Sequence, residues 1–241
     1  MTIGVHYKKK FASDSQITEK NSKTGEVVRK ILDPGFTKIQ VFEKKRRGKS
    51  SIKKTIQFAG SVWCYHAALK GLFESGDWFK YRSDIETKCL GNVMEKPHSF
   101  RMVFKEGSVT KEWGFLVNKN YEVFEIEEHE VSDNDVHAIG SGSQSFGYGV
   151  DSKGITDLNK LVAIAIQYDE YCGGDIIMCK NMANFQTHGQ AQLKAVDDLL
   201  NGVAAGCFAE ASLNADSDIK HLRQQGVKLK PRKTAYKHQA S

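Results

Sequence analysis

A threonine stands directly behind the initiator methionine in MTIGVHYKKKFASDSQ, at the start of a run that reads as a β-strand. Domains usually begin with a few frayed polar residues, so Thr2 is either an accident of the terminus or a chain end that does chemistry. Two further stretches carry reactive or polar residues at suggestive spacing. HAIGSGSQSFGYGVDSKG (residues 137–154) fits a tight strand-to-helix turn whose backbone N–H groups point at an anionic or carbonyl-like group. A Gly-Ser turn without a ligand fits the same residues. No Gly-Lys-Ser/Thr follows, which argues against a phosphate loop. YDEYCGGDII (168–177) puts Asp169 three residues before Cys172, at a helix end that Gly173 and Gly174 terminate. The helix dipole disfavours an acid there. Asp169 is thus either a surface acid or an acid with a specific partner.

Period and turn residues predict the elements that must position these groups. TIGVHY and FASDSQI are β-prone runs separated by KKK, a hairpin. A polar stretch, TEKNSKTGEVVRKILDPG, follows. FTKIQVFEKK then alternates as a strand, and KTIQFAG pairs back with it after an RRGKSS tip. From Ser61, an available N-cap, the period becomes helical: Val62, Tyr65, Leu69, Leu72 and Phe73 share a face. GFLV and YEVFEI flank an NKN turn. Ile155, Leu158, Val162, Ala165 and Ile166 line a second helix, IIMC returns to a strand, and the text from about Ala183 is helical before it turns basic. Strands and helices grouped in this way predict antiparallel sheets covered by helices, an α+β chain, and not a parallel βαβ sheet.

Composition sets outer limits. The chain has 241 residues, 40% hydrophobic and 27% charged, which suits one large core and excludes wholesale disorder. No apolar run reaches the length of a membrane span and no signal peptide precedes the first strand, so a cytoplasmic protein is expected. Five cysteines without a CxxC pair indicate neither a disulfide framework nor a zinc site. The net charge of +6 is concentrated in EKKRRGKSSIKK (43–54) and KLKPRKTAYKH (228–238). Such a basic loop either contacts nucleic acid or an acidic partner, or is a solvated hairpin tip; no aromatic residue interleaves the first cluster as a stacking platform would require.

Taken together, several of these stretches resemble the proteasome β subunits, members of the N-terminal nucleophile hydrolases. GSGSQSFGYGVDSKG followed by a helix and YDEYCGGDIIM resembles the second half of that family. ASDSQIT (12–18) resembles its strand after the N-terminal hairpin, TKI (37–39) its lysine strand, and QFAGSVWCYHAALKGLF (57–73) its glycine turn and first helix. The motifs occur in the family's order over roughly residues 2–180. The resemblance implies a four-layer αββα sandwich of antiparallel sheets, over residues 1–206, followed by a helical and basic C-terminal extension at 207–241.

It also implies roles. Thr2, once Met1 is removed, attacks a peptide carbonyl through Oγ while its own α-amino group takes the proton, a known nucleophile–base pair. An α-amine titrates near pH ~8, close enough to neutrality to act as a base. Lys38 supplies a cation beside the nucleophile, and Asp14 pairs with Lys38 and holds it. Gly60 offers its N–H to the oxyanion. Ser141 and Asp169 support the terminal amine, with Cys172 where the family usually has serine. Phe58 and Val62 flank the oxyanion turn as the side-chain pocket. No cofactor or metal is called for.

A residue-for-residue overlay puts Met1 on the nucleophile's place, whereas a hairpin shortened equally on both arms keeps Thr2 across from Asp14. The readings that follow are a threonine peptidase acting on peptide or protein substrates, or a catalytically inactive scaffold that binds through its basic hairpin and tail, to nucleic acid or an acidic partner. For the peptidase, a homo-oligomer, possible as a ring, and an ATP-dependent unfoldase are the partners the resemblance admits.

Overall fold

The computed structural model describes residues 3–20, 27–32, 37–75, 83, 99–118, 120, 122–144, 154–179 and 216–232. Strands β1 (Gly4–Tyr7) and β2 (Lys10–Asp14) form the first hairpin. Its turn residues Lys8 and Lys9 have φ of 46° and 64°, the left-handed pair that a two-residue hairpin turn requires. β1 and β2 sit in the middle of a four-stranded antiparallel sheet, flanked by β10 (His137–Ile139) and β11 (Ile176–Cys179).

A six-stranded antiparallel sheet faces it. β5 (Ile39–Arg46) and β6 (Lys49–Gly60) form the long hairpin expected around the RRGKSS tip, in the register Ile39↔Gln57. β7 (Phe100–Glu106), β8 (Val109–Val117) and β9 (Val123–Glu130) continue as a meander. Asn118 closes the turn after β8: its side-chain carbonyl accepts from Asn120 N and Glu122 N. Strand β12 (Leu229–Arg232) completes the edge beside β9. It comes from the segment expected as an extension, and helix α3 (Asp216–Gln224), from the same segment, packs Ile219 and Leu222 on Leu116 and Ile126. β3 (Gln16–Lys20) and β4 (Val27–Leu32) form a separate hairpin where the sequence suggested only a polar stretch.

Three apolar layers stack these parts. Helix α2 (Leu158–Tyr168) puts Leu158, Leu161, Val162 and Ala165 on Ile3, Val5 and Ala12, one face of the small sheet. Phe11 and Ile139 from its other face meet Ile39, Val41, Ala59 and Val103 of the large sheet. The far face of the large sheet carries helix α1 (Val62–Ser75), whose Tyr65, Leu69 and Leu72 pack among Phe58, Phe100, Trp113 and Phe115. The order is helix, sheet, sheet, helix, an αββα sandwich. Each such ring, fully withdrawn from water, contributes about 2–3 kcal/mol.

Polar bonds align the two sheets within that frame. Gln57 is fully buried and its Nε2 donates to Ala12 O at 2.7 Å. Gly4 makes room for it, since a β-carbon there would lie 2.9 Å from Gln57 Cδ. Farther along, Arg101 Nε donates to Glu112 Oε1 at 2.7 Å, and His137 Nε2 lies 3.0 Å from Glu112 Oε2.

One local expectation is corrected. Ser61 does not cap α1 with its hydroxyl: Oγ is buried and makes no hydrogen bond among the described residues, while its backbone O accepts from Tyr65 N at 3.0 Å. α2 is capped by Asp157, which accepts from Asn159 N at 3.0 Å. The helical text expected from Ala183 lies outside the described residues as far as 215. Among the described residues no helix is long and apolar enough to cross a membrane.

Candidate active site

The β1–β2 register determines what meets at the start of the chain. Gly4 pairs with Ser13, and one rung earlier Asp14 N donates to Ile3 O at 3.3 Å while Ile3 N donates to Asp14 Oδ1 at 3.0 Å. Ile3 therefore holds the place across from Asp14. The expectation that Thr2 does so is corrected by this register; Thr2 itself lies outside the described residues, as does Met1.

Asp14 is fully buried and gathers at least three donors. Besides Ile3 N, Lys38 Nζ donates to Oδ1 at 2.8 Å and Gly173 N donates to Oδ2 at 3.1 Å. Lys38, 6% exposed, also donates to Gln16 O at 2.7 Å. A buried ion pair of this kind survives only if hydrogen bonds satisfy the remaining lone pairs and protons. Here the N–H groups of Ile3 and Gly173 on the carboxylate and the Gln16 carbonyl on the ammonium supply such bonds.

Asp169 follows the last turn of α2. Its N–H donates to Ala165 O at 2.8 Å, its Oδ1 accepts from Tyr171 N at 2.9 Å and its backbone O accepts from Cys172 N at 2.9 Å. The acid that looked misplaced at a helix end thus builds the turn that follows it. Cys172 Sγ donates weakly to Asp169 Oδ2 at 3.6 Å. Burial, and then the carboxylates of Asp14 and Asp169, push the Cys172 thiol well above its usual range, against the pull of Lys38. Cys172 is therefore held as a thiol and is a poor nucleophile.

Ser141 lies beside this group through its neighbour: a β-carbon at Gly142 would lie 2.8 Å from Cys172 Sγ and 2.9 Å from Ile3 Cβ. The Ser141 Oγ is buried and makes no hydrogen bond among the described residues. Asp14, Lys38, Ser141, Asp169 and Cys172, drawn from four parts of the sequence, are thereby brought around Ile3.

Gly60 closes β6, the partner strand of β5. Its φ is +107°, and a β-carbon would fall 2.2 Å from Ser99 O. Phe58 is 2% exposed in the α1 core, with its ring 4.3 Å from Tyr65 and 5.9 Å from Phe100. Val62 packs half-buried against the same core.

Sequence reasoning missed Gln16 and Thr18 as supports. Gln16 Nε2 donates to Thr18 Oγ1 at 3.0 Å and to Glu170 O at 3.2 Å, and Thr18 Oγ1 donates to Tyr171 O at 3.2 Å. Gly173 O accepts from Ser15 N and Gln16 N. These bonds tie the 169–173 turn to the start of β3, just after Asp14 at the end of β2. Their signal was the polar alternation Asp14, Gln16, Thr18, which runs from the end of β2 into β3, next to a Gly-Gly pair that seemed to do no more than end a helix. Among the described residues no group of three His, Cys, Asp or Glu side chains could hold a metal ion.

No family model and no curated protein matches the chain. Among solved structures it is similar to an Anbu (Gly-1) mutant from Hyphomicrobium sp. strain MC1, at a TM-score of 0.43 and 13% identity, covering 87% of this chain and 99% of that one. It is also similar to eukaryotic HslV from Trypanosoma brucei, at a TM-score of 0.40 and 14% identity, covering 74% of this chain and 97% of that one.

Proposed function

We propose that this chain is a threonine-type peptidase whose nucleophile is Thr2, exposed by removal of Met1. The observation that carries the reading is the buried Asp14 carboxylate, which binds Lys38 Nζ at 2.8 Å and, on the same oxygen, the N–H of Ile3 at 3.0 Å. That N–H belongs to the peptide joining residue 2 to the rest of the chain. A buried ion pair held against the backbone that follows residue 2 is a costly arrangement of the kind found at functional sites.

In the proposed reaction Thr2 Oγ adds to the substrate carbonyl and its proton passes to the free α-amine of Thr2. The C–N bond then breaks, the amine product leaves with that proton, and an ester remains on Thr2. Water cleaves the ester by the same route in reverse. Lys38 supplies positive charge that favours the deprotonated oxygen, Gly60 N–H receives the oxyanion, and Ser141 Oγ and Asp169 orient the terminal amine. Phe58, 2% exposed in the α1 core, has almost no surface to offer a substrate, so the half-buried Val62 alone is assigned to the rim of the side-chain pocket. Self-association limits access to the site, and an ATP-dependent unfoldase is the class of partner that would feed folded substrates to it.

A second reading, an inactive scaffold, is favoured by one observation: the residue across from Asp14 is Ile3 and not Thr2. Intact mass before and after treatment with a threonine-directed electrophile separates the two. Loss of Met1, one adduct on residue 2 and hydrolysis abolished by Thr2→Ala support the peptidase. Retained Met1, or hydrolysis unchanged in Thr2→Ala, removes it.

A further inference from the structure

The hairpin of β5 and β6 is longer than the sheet it belongs to. β5 and β6 pair from Ile39↔Gln57 out to Arg46↔Lys49, but β7 pairs with β6 only as far as Lys54↔Glu106. Beyond that rung, residues 43–53 are a two-stranded ribbon that no other strand joins among the described residues. Lys54 Nζ lies 3.1 Å from Glu106 Oε1 and marks its base. At the tip Arg47 and Gly48 are exposed, and a β-carbon on Gly48 would meet nothing within 4 Å. At about 3.3 Å per residue, the five rungs from Lys54 to the tip reach roughly 16 Å from the sheet.

This arm holds six Lys and Arg residues (Lys44, Lys45, Arg46, Arg47, Lys49 and Lys53) against one acid, Glu43. An edge ribbon with this charge is protected from pairing with other strands, but blunting an edge does not need an arm that leaves the sheet. Its composition narrows the partner. Residues 43–53 contain no aromatic side chain, so they offer no stacking platform for a single strand. One isoleucine is too little apolar surface for a membrane. Arg forks and the hydroxyls of Ser50 and Ser51 are phosphate-binding groups. A two-stranded ribbon fits the B-form major groove, about 12 Å wide, whereas the A-form groove is too deep and narrow to admit it.

We propose that residues 43–53 are a docking arm for double-stranded DNA, held through backbone phosphates with no strong sequence preference. The arm shares no residue with the Asp14 site, so this proposal and the peptidase reading stand or fall separately.

The test is fluorescence anisotropy with the full chain and a labelled duplex of about 30 base pairs, at salt from about 50 to 250 mM. Six phosphate contacts predict a slope of log K against log salt near −5. The double variant Arg46→Glu/Arg47→Glu is expected to bind at least about tenfold more weakly and to lose about two units of slope. Because Arg47 and Gly48 are exposed at the tip, its thermal melting should match the parent. If it does not, the milder Lys44→Gln/Lys45→Gln variant is read in the same way. No binding at the lowest salt, binding unchanged in both variants, or tighter binding to single-stranded DNA, duplex RNA or poly-glutamate overturns the proposal.

Discussion

Gln16 lies over Gly173 so closely that a β-carbon on Gly173 would sit 2.2 Å from Gln16 Oε1. Gln16 is 4% exposed and its amide is committed to Thr18 and Glu170. Gly173→Ala must therefore displace the glutamine and break those bonds, loosening the N–H that Gly173 gives to Asp14. We expect a loss of about 1–3 kcal/mol. In a double-mutant cycle with Gln16→Ala, measured by urea unfolding, the combined loss should fall clearly short of the sum. Additive losses would mean that the two residues do not meet.

Gly60 and Gly48 make a controlled pair. Both have positive φ, +107° and +69°, but a β-carbon at Gly60 meets the backbone oxygen of Ser99 at 2.2 Å and one at Gly48 meets nothing. Gly48→Ala should cost about 1 kcal/mol, the strain of φ alone. Gly60→Ala should cost about 3 kcal/mol or more, because backbone cannot move aside as a side chain can. Equal melting temperatures for the two variants would contradict this account of the turn.

What could be read from the text and what could not divides along physical lines. Leu158, Val162 and Ala165 announced their face by period, and the β5–β6 tip by its turn residues, because both signals are local. β12 could not be read in advance: Leu229–Arg232 has a proline and two basic residues and looks like basic tail, and it becomes a strand because the β9 edge accepts it. At the site, the Asp14–Lys38 pair was legible through the resemblance. The bond from Gly173 N to Asp14 was not, since it joins residues 159 apart through a backbone group that every residue type has. The same holds for Gln16, whose role depends on where the 169–173 turn comes to rest.

Lys38→Met should unbalance Asp14. The carboxylate keeps the N–H groups of Ile3 and Gly173 but loses the Lys38 cation in a buried setting. Breaking one side of a buried pair costs about 3–5 kcal/mol, whereas removing both charges costs much less. Asp14→Asn/Lys38→Met should therefore be more stable than Lys38→Met alone, by chemical denaturation. Under the proposed function both variants lose hydrolysis, so stability and activity part company in the double variant.

Cys172 should resist alkylation. Its thiol is buried and pushed above its usual range by burial and by the carboxylates of Asp14 and Asp169. Iodoacetamide near pH ~8 labels an ordinary thiol, whose pKa is ~8.5. Peptide mapping should show residue 172 unmodified in the folded chain and modified after denaturation. Rapid labelling in the folded chain would assign Cys172 a reactive role that its surroundings contradict.

Acid should unfold the protein through His6. This ring is fully buried between the sheets, 4.8 Å from Phe11, with Nε2 3.1 Å from Asp133 Oδ1. Burial lowers its pKa to about 4, overcoming the attraction of Asp133, while His137 and Lys105 lower it further. Across the strand lies His137, beside Glu112, which Arg101 also holds. A depressed histidine binds its proton more readily when unfolded. The unfolded chain takes up that proton near pH ~6.5, the folded chain only near pH 4. Stability is therefore complete above about pH 6.5 and falls as the pH drops towards 4, because the unfolded state binds more protons throughout that window. Glu112 extends the loss to lower pH: although burial opposes it, Arg101 and His137 hold its pKa below the usual carboxylate range. Urea unfolding at half-unit steps from pH 7 to 4 should show this decline, and His6→Gln should flatten the part between 6.5 and 4. A decline of the same steepness in His6→Gln would assign the acid sensitivity to other groups.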